Sequence, residues 1–171
     1  RRRVRAVYVT PHHQYPTTVT MSAARRLALL ELARKHRVLI IEDNAANVEL
    51  ATFVLEDAGF IVNTVTEAGD VLAQVASFKP DLILMDIRLS GGDGLKLTQA
   101  LKSEPVTSGI VIVAFTAFAM KGDEARLRAA GCDAYIAKPI DVASFARQVE
   151  AALGAGPPMD LDSLRGELAD R

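Results

Sequence analysis

The sequence predicts an α/β fold: a doubly wound, five-stranded parallel sheet with helices on both faces. Three observations carry that prediction. From Val38 onward, short apolar runs alternate with stretches of helical spacing. The runs are almost continuously apolar, which suits strands buried on both faces and therefore a parallel sheet. Five strands alternating with five helices is the order expected of a doubly wound domain.

The strands are expected in the runs VLII (38–41), FIVNTV (60–65), DLILM (81–85), IVIVAF (110–115) and AYIA (134–137). In the first helical stretch Val48, Leu50, Ala51, Val54 and Leu55 supply an apolar stripe. In the last, Phe145, Val149 and Leu153 repeat at i, i+4 and i+8. Gly59, Gly131 and Gly154 stand where helices should stop. The whole reads as flavodoxin-like, with strand order 2-1-3-4-5. No internal repeat or low-complexity run interrupts it.

Charge divides the chain unevenly. The total of 20 Lys+Arg against 21 Asp+Glu gives a net of −1 over 171 residues. Residues 1–37 nonetheless hold nine basic side chains and one acidic one, Glu31, for a local net of +8, and residues 38–171 carry −9. An asymmetry of this kind separates segments of different origin or role. A hydrophobic content of 50% with 24% charged residues excludes disorder. The longest apolar stretch, Ile110 to Met120, is broken by Thr116 and falls short of the roughly 20 residues of a bilayer span. Cys132 is the single cysteine, so no internal disulfide or cysteine-based zinc site is expected, and a reduced, cytoplasmic setting fits.

In doubly wound sheets the ligand site lies beyond the carboxyl ends of the strands. Strand one ends in Glu42-Asp43, strand three in Asp86, strand four in Thr116 and strand five in Lys138-Pro139. Strand two ends in Thr66-Glu67, which reads as an ordinary helix cap. Each residue alone has a bland reading. Glu42 and Asp43 could cap the first helix, Thr116 could serve a turn, and Lys138 could be a solvated surface charge. Lys138-Pro139 is a candidate cis bond, a form taken by about 5–6% of X-Pro bonds. Their joint occurrence, one per strand end, argues for a site. Clustered carboxylates without histidine suit Mg²⁺, a hard cation that takes oxygen ligands. A lysine and a threonine opposite would face a phosphoryl group. Asp86, closing the central strand, is the candidate nucleophile that would form an acyl phosphate.

With these residues in view, 38–154 resembles the receiver domain of two-component response regulators. VLIIEDN resembles the acidic-pair strand, LILMDIRLSGGDG the phosphoacceptor strand and loop, VAFTAFAMKGDE the threonine strand, and YIAKPI the lysine strand. AFAMKGDEARLRAAGCDAYIAKPI is similar to single-domain regulators of the DivK type. The resemblance implies that Asp86 accepts a phosphoryl group from a sensor histidine kinase or a histidine phosphotransfer protein. It implies that Asp43 and Asp86 ligate Mg²⁺, with Glu42 acting through water and the Arg88 backbone carbonyl completing the protein ligands. Thr116 and Lys138 would hold phosphoryl oxygens, and Tyr135 would be the switch aromatic. Arg88 and Phe118 would flank the hydrolytic water and tune the lifetime of the phosphorylated form. Ser90 stands where that family usually has proline, which loosens the loop without removing a chemical group. The implied protein is not an enzyme beyond weak self-phosphotransfer and autodephosphorylation. It would be a stand-alone phosphorelay receiver in the bacterial cytoplasm, acting on a downstream protein target.

The remaining segments give a domain plan of an extension at 1–36, a receiver domain at 37–154, and a linker and short tail at 155–171. VRAVYVT reads as a strand, and residues 21–36 as an amphipathic helix. The string VYVTPHHQYPTTVTMSAARRLALLELA resembles part of the aminotransferase-like domain of MocR-type regulators of the GntR family. That family's lysine context is missing, so no pyridoxal phosphate is expected. No nucleic-acid reader motif accompanies the arginines, and no membrane partner is expected. Pro11, Pro16 and the strand-like start argue against a transit peptide. The sequence opens on Arg1, which is compatible with a fragment or an extended reading frame, with Met21 as another start. Thirteen residues after the linker are too few for a DNA-binding output domain, so signalling through protein contacts is expected.

Two alternatives compete with the phosphorelay reading. A haloacid-dehalogenase-like phosphatase also uses aspartate and Mg²⁺, but needs its nucleophile on strand one with a second aspartate two residues on. Here Asp43 is followed by Asn44 and Ala45. In a pseudo-receiver, the basic head would block kinase docking at the first helix, near Asn44 and Asn47.

Overall fold

The computed structural model describes Ser22 and residues 36–89, 92–117 and 123–155. The chain divides into two units between Lys35 and His36, and the fold below is that of the second. The sequence expectations for the extension at 1–36, of which only Ser22 and His36 are described, for Ser90, Phe118 and Met120, and for the tail beyond residue 155 lie outside the described residues.

The described elements run β1 (Arg37–Ile41), α1 (Ala45–Ala58), β2 (Ile61–Val65), α2 (Val71–Phe78), β3 (Leu82–Asp86), α3 (Gly94–Ser103), β4 (Val111–Thr116), α4 (Asp123–Ala129), β5 (Ala134–Ala137) and α5 (Phe145–Ala155). A 3₁₀ turn at Ala68–Asp70 leads into α2. All strand pairs are parallel, in the order β2-β1-β3-β4-β5. Apart from Arg37, every residue of β1, β3 and β4 is buried, as their apolar runs require, while the edge strands β2 and β5 are half exposed.

Period-two alternation assigns the two faces of the sheet. Val38, Ile40, Leu82, Leu84, Val113 and Phe115 pack against Ala51, Val54 and Leu55 of α1 and Phe145 and Val149 of α5. Leu39, Ile41, Ile83, Met85 and Ile112 pack against Val71 and Val75 of α2 and Leu101 of α3. A smaller cluster places Leu127 of α4 with Ala114 and Cys132. The sheet is therefore sandwiched between two helical layers around two main apolar layers.

Helix ends follow local chemistry. Asn44 caps α1, its side chain accepting from the Ala46 and Asn47 amides, and Asp93 caps α3 by accepting from Leu95. Gly59 ends α1 at φ 99°, a left-handed conformation that glycine adopts without strain. Glu67, expected as a cap, stands at the start of the 3₁₀ turn and makes no side-chain capping bond. Two further details depart from the sequence reading. Gly154 lies within α5 rather than ending it, because nothing nearby forces a turn and a glycine one residue from a helix end costs little. Leu50 is on the exposed side of α1, since the stripe that reaches the sheet is Ala51, Val54 and Leu55.

Candidate functional site

The parallel register brings the carboxyl ends of the strands to one rim. Asp86 pairs with Phe115 across β3 and β4, and Thr116 pairs with Ala137 across β4 and β5. The Glu42 amide continues the ladder by donating to the Val65 carbonyl, and the Lys138 amide by donating to the Thr116 carbonyl. Sheet geometry thus fixes the backbone of each polar residue before its side chain is considered.

Glu42, Asp43 and Asp86 converge so that one carboxylate oxygen from each lies within 4.8 Å of the others. Glu42 is 1% exposed and Asp86 6%. At an effective dielectric near 20, two unit charges at that separation repel by roughly 3 kcal/mol. Lys138 offsets part of this. Its ammonium donates to Asp86 Oδ2 at 2.8 Å and stands 2.5 Å from Glu42 Oε2. The contact with Glu42 is a close ion pair within the buried site. The other oxygens are held by backbone amides: Asn44 donates to Glu42 Oε1 at 3.1 Å, and Arg88 to Asp86 Oδ1 at 3.0 Å.

Among the described residues, Lys138 brings its ammonium to three clustered carboxylates at a largely buried point. The three carboxylates offer an all-oxygen donor set, and two of them are buried. Those features fit a hard divalent cation such as Mg²⁺. The capping explanation for the acidic pair does not hold, because Asn44 caps α1 and leaves Glu42 and Asp43 turned to the cluster. The phosphatase alternative fares no better, since the position two after Asp43, where it needs an aspartate, is the helix residue Ala45.

Thr116 is buried at the end of β4. Tyr135 on β5 is 44% exposed, turned outward. The Lys138–Pro139 peptide is cis. Arg88 is exposed beside a cavity of about 460 Å³ that it shares with Arg126 and Asp93. Phe118 lies outside the described residues.

Two residues at the site escaped the sequence reading. A Cβ on Gly94 would stand 2.1 Å from the Asp86 carbonyl oxygen, so glycine lets α3 start directly against the backbone of the central acid. The Asp-Gly pair after an apolar strand was a usable signal. Phe115 lies under the Lys138 ammonium, 4.6 Å from ring centroid to Nζ. Its place inside an apolar run concealed it.

The comparisons with known proteins agree with this geometry. The family model described as response regulator receiver domain matches residues 38–150. The polar-differentiation response regulator DivK of Brucella anthropi is 42% identical over 117 residues, covering 68% of this chain and 95% of that protein. Its counterpart in Brucella ovis gives the same figures. Among solved structures, a putative response regulator from Chloroflexus aurantiacus is 27% identical with a TM-score of 0.67, covering 71% of this chain and 99% of that one. The receiver domain of a sensor histidine kinase from Pseudomonas aeruginosa is 29% identical with a TM-score of 0.64, again over 71% and 99%. That structure has a magnesium ion coordinated in its active-site cleft.

Proposed function

The chain belongs to the response regulator receiver domain family, and on that premise we propose that it accepts a phosphoryl group on Asp86 and thereby switches its contacts with other proteins. The observation that supports this most is the convergence of Glu42, Asp43 and Asp86 within 4.8 Å, with Lys138 bonded to Asp86. Glu42, Asp43, Asp86 and the Arg88 backbone carbonyl would hold Mg²⁺, which when bound neutralises charge on the transferring phosphoryl group.

The donor is a phosphohistidine of a sensor kinase or a phosphotransfer protein. A carboxylate oxygen of Asp86 attacks phosphorus, the P–N bond breaks, and the departing imidazole keeps the electron pair. The backbone amide of Arg88 holds the other end of the carboxylate and fixes its orientation. Lys138 already stands against Asp86, so its ammonium passes from carboxylate to phosphoryl oxygen with little movement. Thr116 donates its hydroxyl to a second phosphoryl oxygen. As Thr116 is drawn toward the phosphoryl group, space opens beside β5 and Tyr135 turns inward from its exposed position, altering the α4–β5 surface. Arg88 and Phe118 govern water access and so the lifetime of the acyl phosphate, whose hydrolysis is the only turnover this reading allows. The bacterial cytoplasm is the setting we adopt, consistent with a lone, buried Cys132. No helix among the described residues is long and apolar enough to cross a membrane.

The test is Mg²⁺-dependent labelling of the full chain by a small acyl phosphate, followed by mass. The wild type should gain one phosphoryl group and Asp86→Asn none. Undiminished labelling of Asp86→Asn would overturn the assignment.

A further inference from the structure

We propose that Phe115 is a positioning residue for Lys138: its ring face seats the ammonium where it meets Asp86 and Glu42. The inference rests on the reading of Asp86 as phosphoacceptor and adds a group that touches none of the reacting atoms.

Three observations combine. First, alternation along β4 puts Phe115 on the same face as Val111 and Val113, and its register partner is Asp86. The ring therefore belongs to the row of the sheet that carries the acceptor. Second, Lys138 Nζ lies over that ring, 4.6 Å from its centroid, while also contacting Asp86 Oδ2 and Glu42 Oε2. A cation within about 6 Å of a ring face is attracted by its quadrupole, most strongly where water is excluded. Phe115 is fully buried and the Lys138 side chain is 13% exposed, so little water competes. Third, the ring is itself braced. Phe145, the first residue of α5, packs against it at 5.9 Å between centroids and 41° between planes, one of the tilted arrangements aromatic pairs adopt. A lysine side chain is long and rotamer-rich, and holding its head in one place costs entropy. Two carboxylates pull the ammonium toward the acidic side, and the ring gives it a fixed surface on a third. An aliphatic residue of similar bulk would fill the core and offer no such surface.

The experiment uses the full chain with Phe115 replaced by 4-fluoro-, 3,5-difluoro- and 3,4,5-trifluorophenylalanine, and with Phe115→Leu. Fluorination drains negative charge from the ring face at nearly constant size. Two quantities are followed: the NMR shifts of the Lys138 ε-methylene and ammonium in metal-free protein, and the rate of labelling by a small acyl phosphate. Urea unfolding monitors the core. The Lys138 resonances should move stepwise along the series and lose their ring-current shift in Phe115→Leu. The labelling rate should fall stepwise to about one fifth, equivalent to about 1 kcal/mol, with every protein of the series still folded under the labelling conditions. Flat Lys138 shifts across the series would overturn the proposal, as would a labelling rate that does not follow those shifts. A wild type that takes no label at Asp86 would defeat the phosphoacceptor reading, while the Lys138 shifts would still decide the ring contact.

Discussion

Replacing Gly94 by alanine would put a Cβ 2.1 Å from the Asp86 carbonyl oxygen, 2.9 Å from Ile87 Cα and 3.0 Å from the Asp86 carbonyl carbon. Carbon and oxygen approach without penalty only to roughly 3.3 Å, so the backbone must yield by about 1 Å. All the obstructing atoms are main chain, and no rotamer change relieves them. Overpacking of this kind costs about 1–3 kcal/mol, and the upper end applies because β3 is the central strand. Helix propensity works the other way, favouring alanine by up to about 1 kcal/mol. The steric term wins, for a net loss of about 2 kcal/mol. With a urea slope of about 2 kcal/mol per molar, the unfolding midpoint should fall by about 1 M. Gly154→Ala is the internal control. It has no atom within 4 Å of a built Cβ and no positive φ, so only propensity acts. Near a fraying helix end the gain is about 0.5 kcal/mol, raising the midpoint by about 0.2 M. Urea titrations followed by far-ultraviolet circular dichroism measure both. A Gly94→Ala midpoint at or above the wild type would refute the close-approach argument.

Lys138→Met removes the ammonium that pairs with Asp86 and Glu42 and should cost about 3 kcal/mol in metal-free buffer, with millimolar Mg²⁺ restoring part of it in thermal unfolding. Hydrogen bonds from the Ser144 hydroxyl and the Ala143 amide hold the Asp141 carboxyl below its usual range. The stability they add is therefore present above the ordinary carboxylate pKa and disappears as pH falls through the lowered one. The urea midpoints of wild type and Ser144→Ala should differ at pH 6 and converge as the buffer is taken below about pH 4. Burial raises the Cys132 thiol pKa, so folding opposes its ionisation. Stability should fall more steeply above about pH 8.5 in the wild type than in Cys132→Ala, and alkylation of Cys132 should be slow at neutral pH until urea unfolds the chain.

How much of this was legible in the sequence depends on which physical constraint each residue answers. The central strands were legible because burial on both faces demands apolar side chains at nearly every position, as in LILM before Asp86. The acidic site was legible for the complementary reason. A charge that closes an apolar strand cannot be core, so Glu42, Asp86 and Lys138 announced a rim where burial gives way to chemistry. What stayed hidden were contacts between elements distant in sequence. Ala51, Val54 and Leu55 face the sheet and Leu50 does not, and a stripe five residues wide cannot say where its centre lies. Gly59 and Gly154 both look like helix stops, yet only the first has the left-handed φ that makes glycine necessary.

Phe115 marks the boundary between these two kinds of information. Its strand alternates Val111, Val113 and Phe115 on one face with Ile112, Ala114 and Thr116 on the other. That parity was computable from sequence, and so was its agreement with Asp86 two positions after Leu84. The sequence alone did not supply the register that sets Asp86 opposite Phe115, which decides whether an aromatic at that position is only packing or also a wall of the site. A parallel sheet settles register through its helices. Gly94, by letting α3 begin against the Asp86 carbonyl, belongs to that settlement. If so, a substitution at Gly94 that tilts β3 should also disturb the Lys138 resonances, although Gly94 and Lys138 lie 44 residues apart in the sequence. Unchanged Lys138 shifts in a folded Gly94→Ala protein would mean that the strand end is held by the sheet alone.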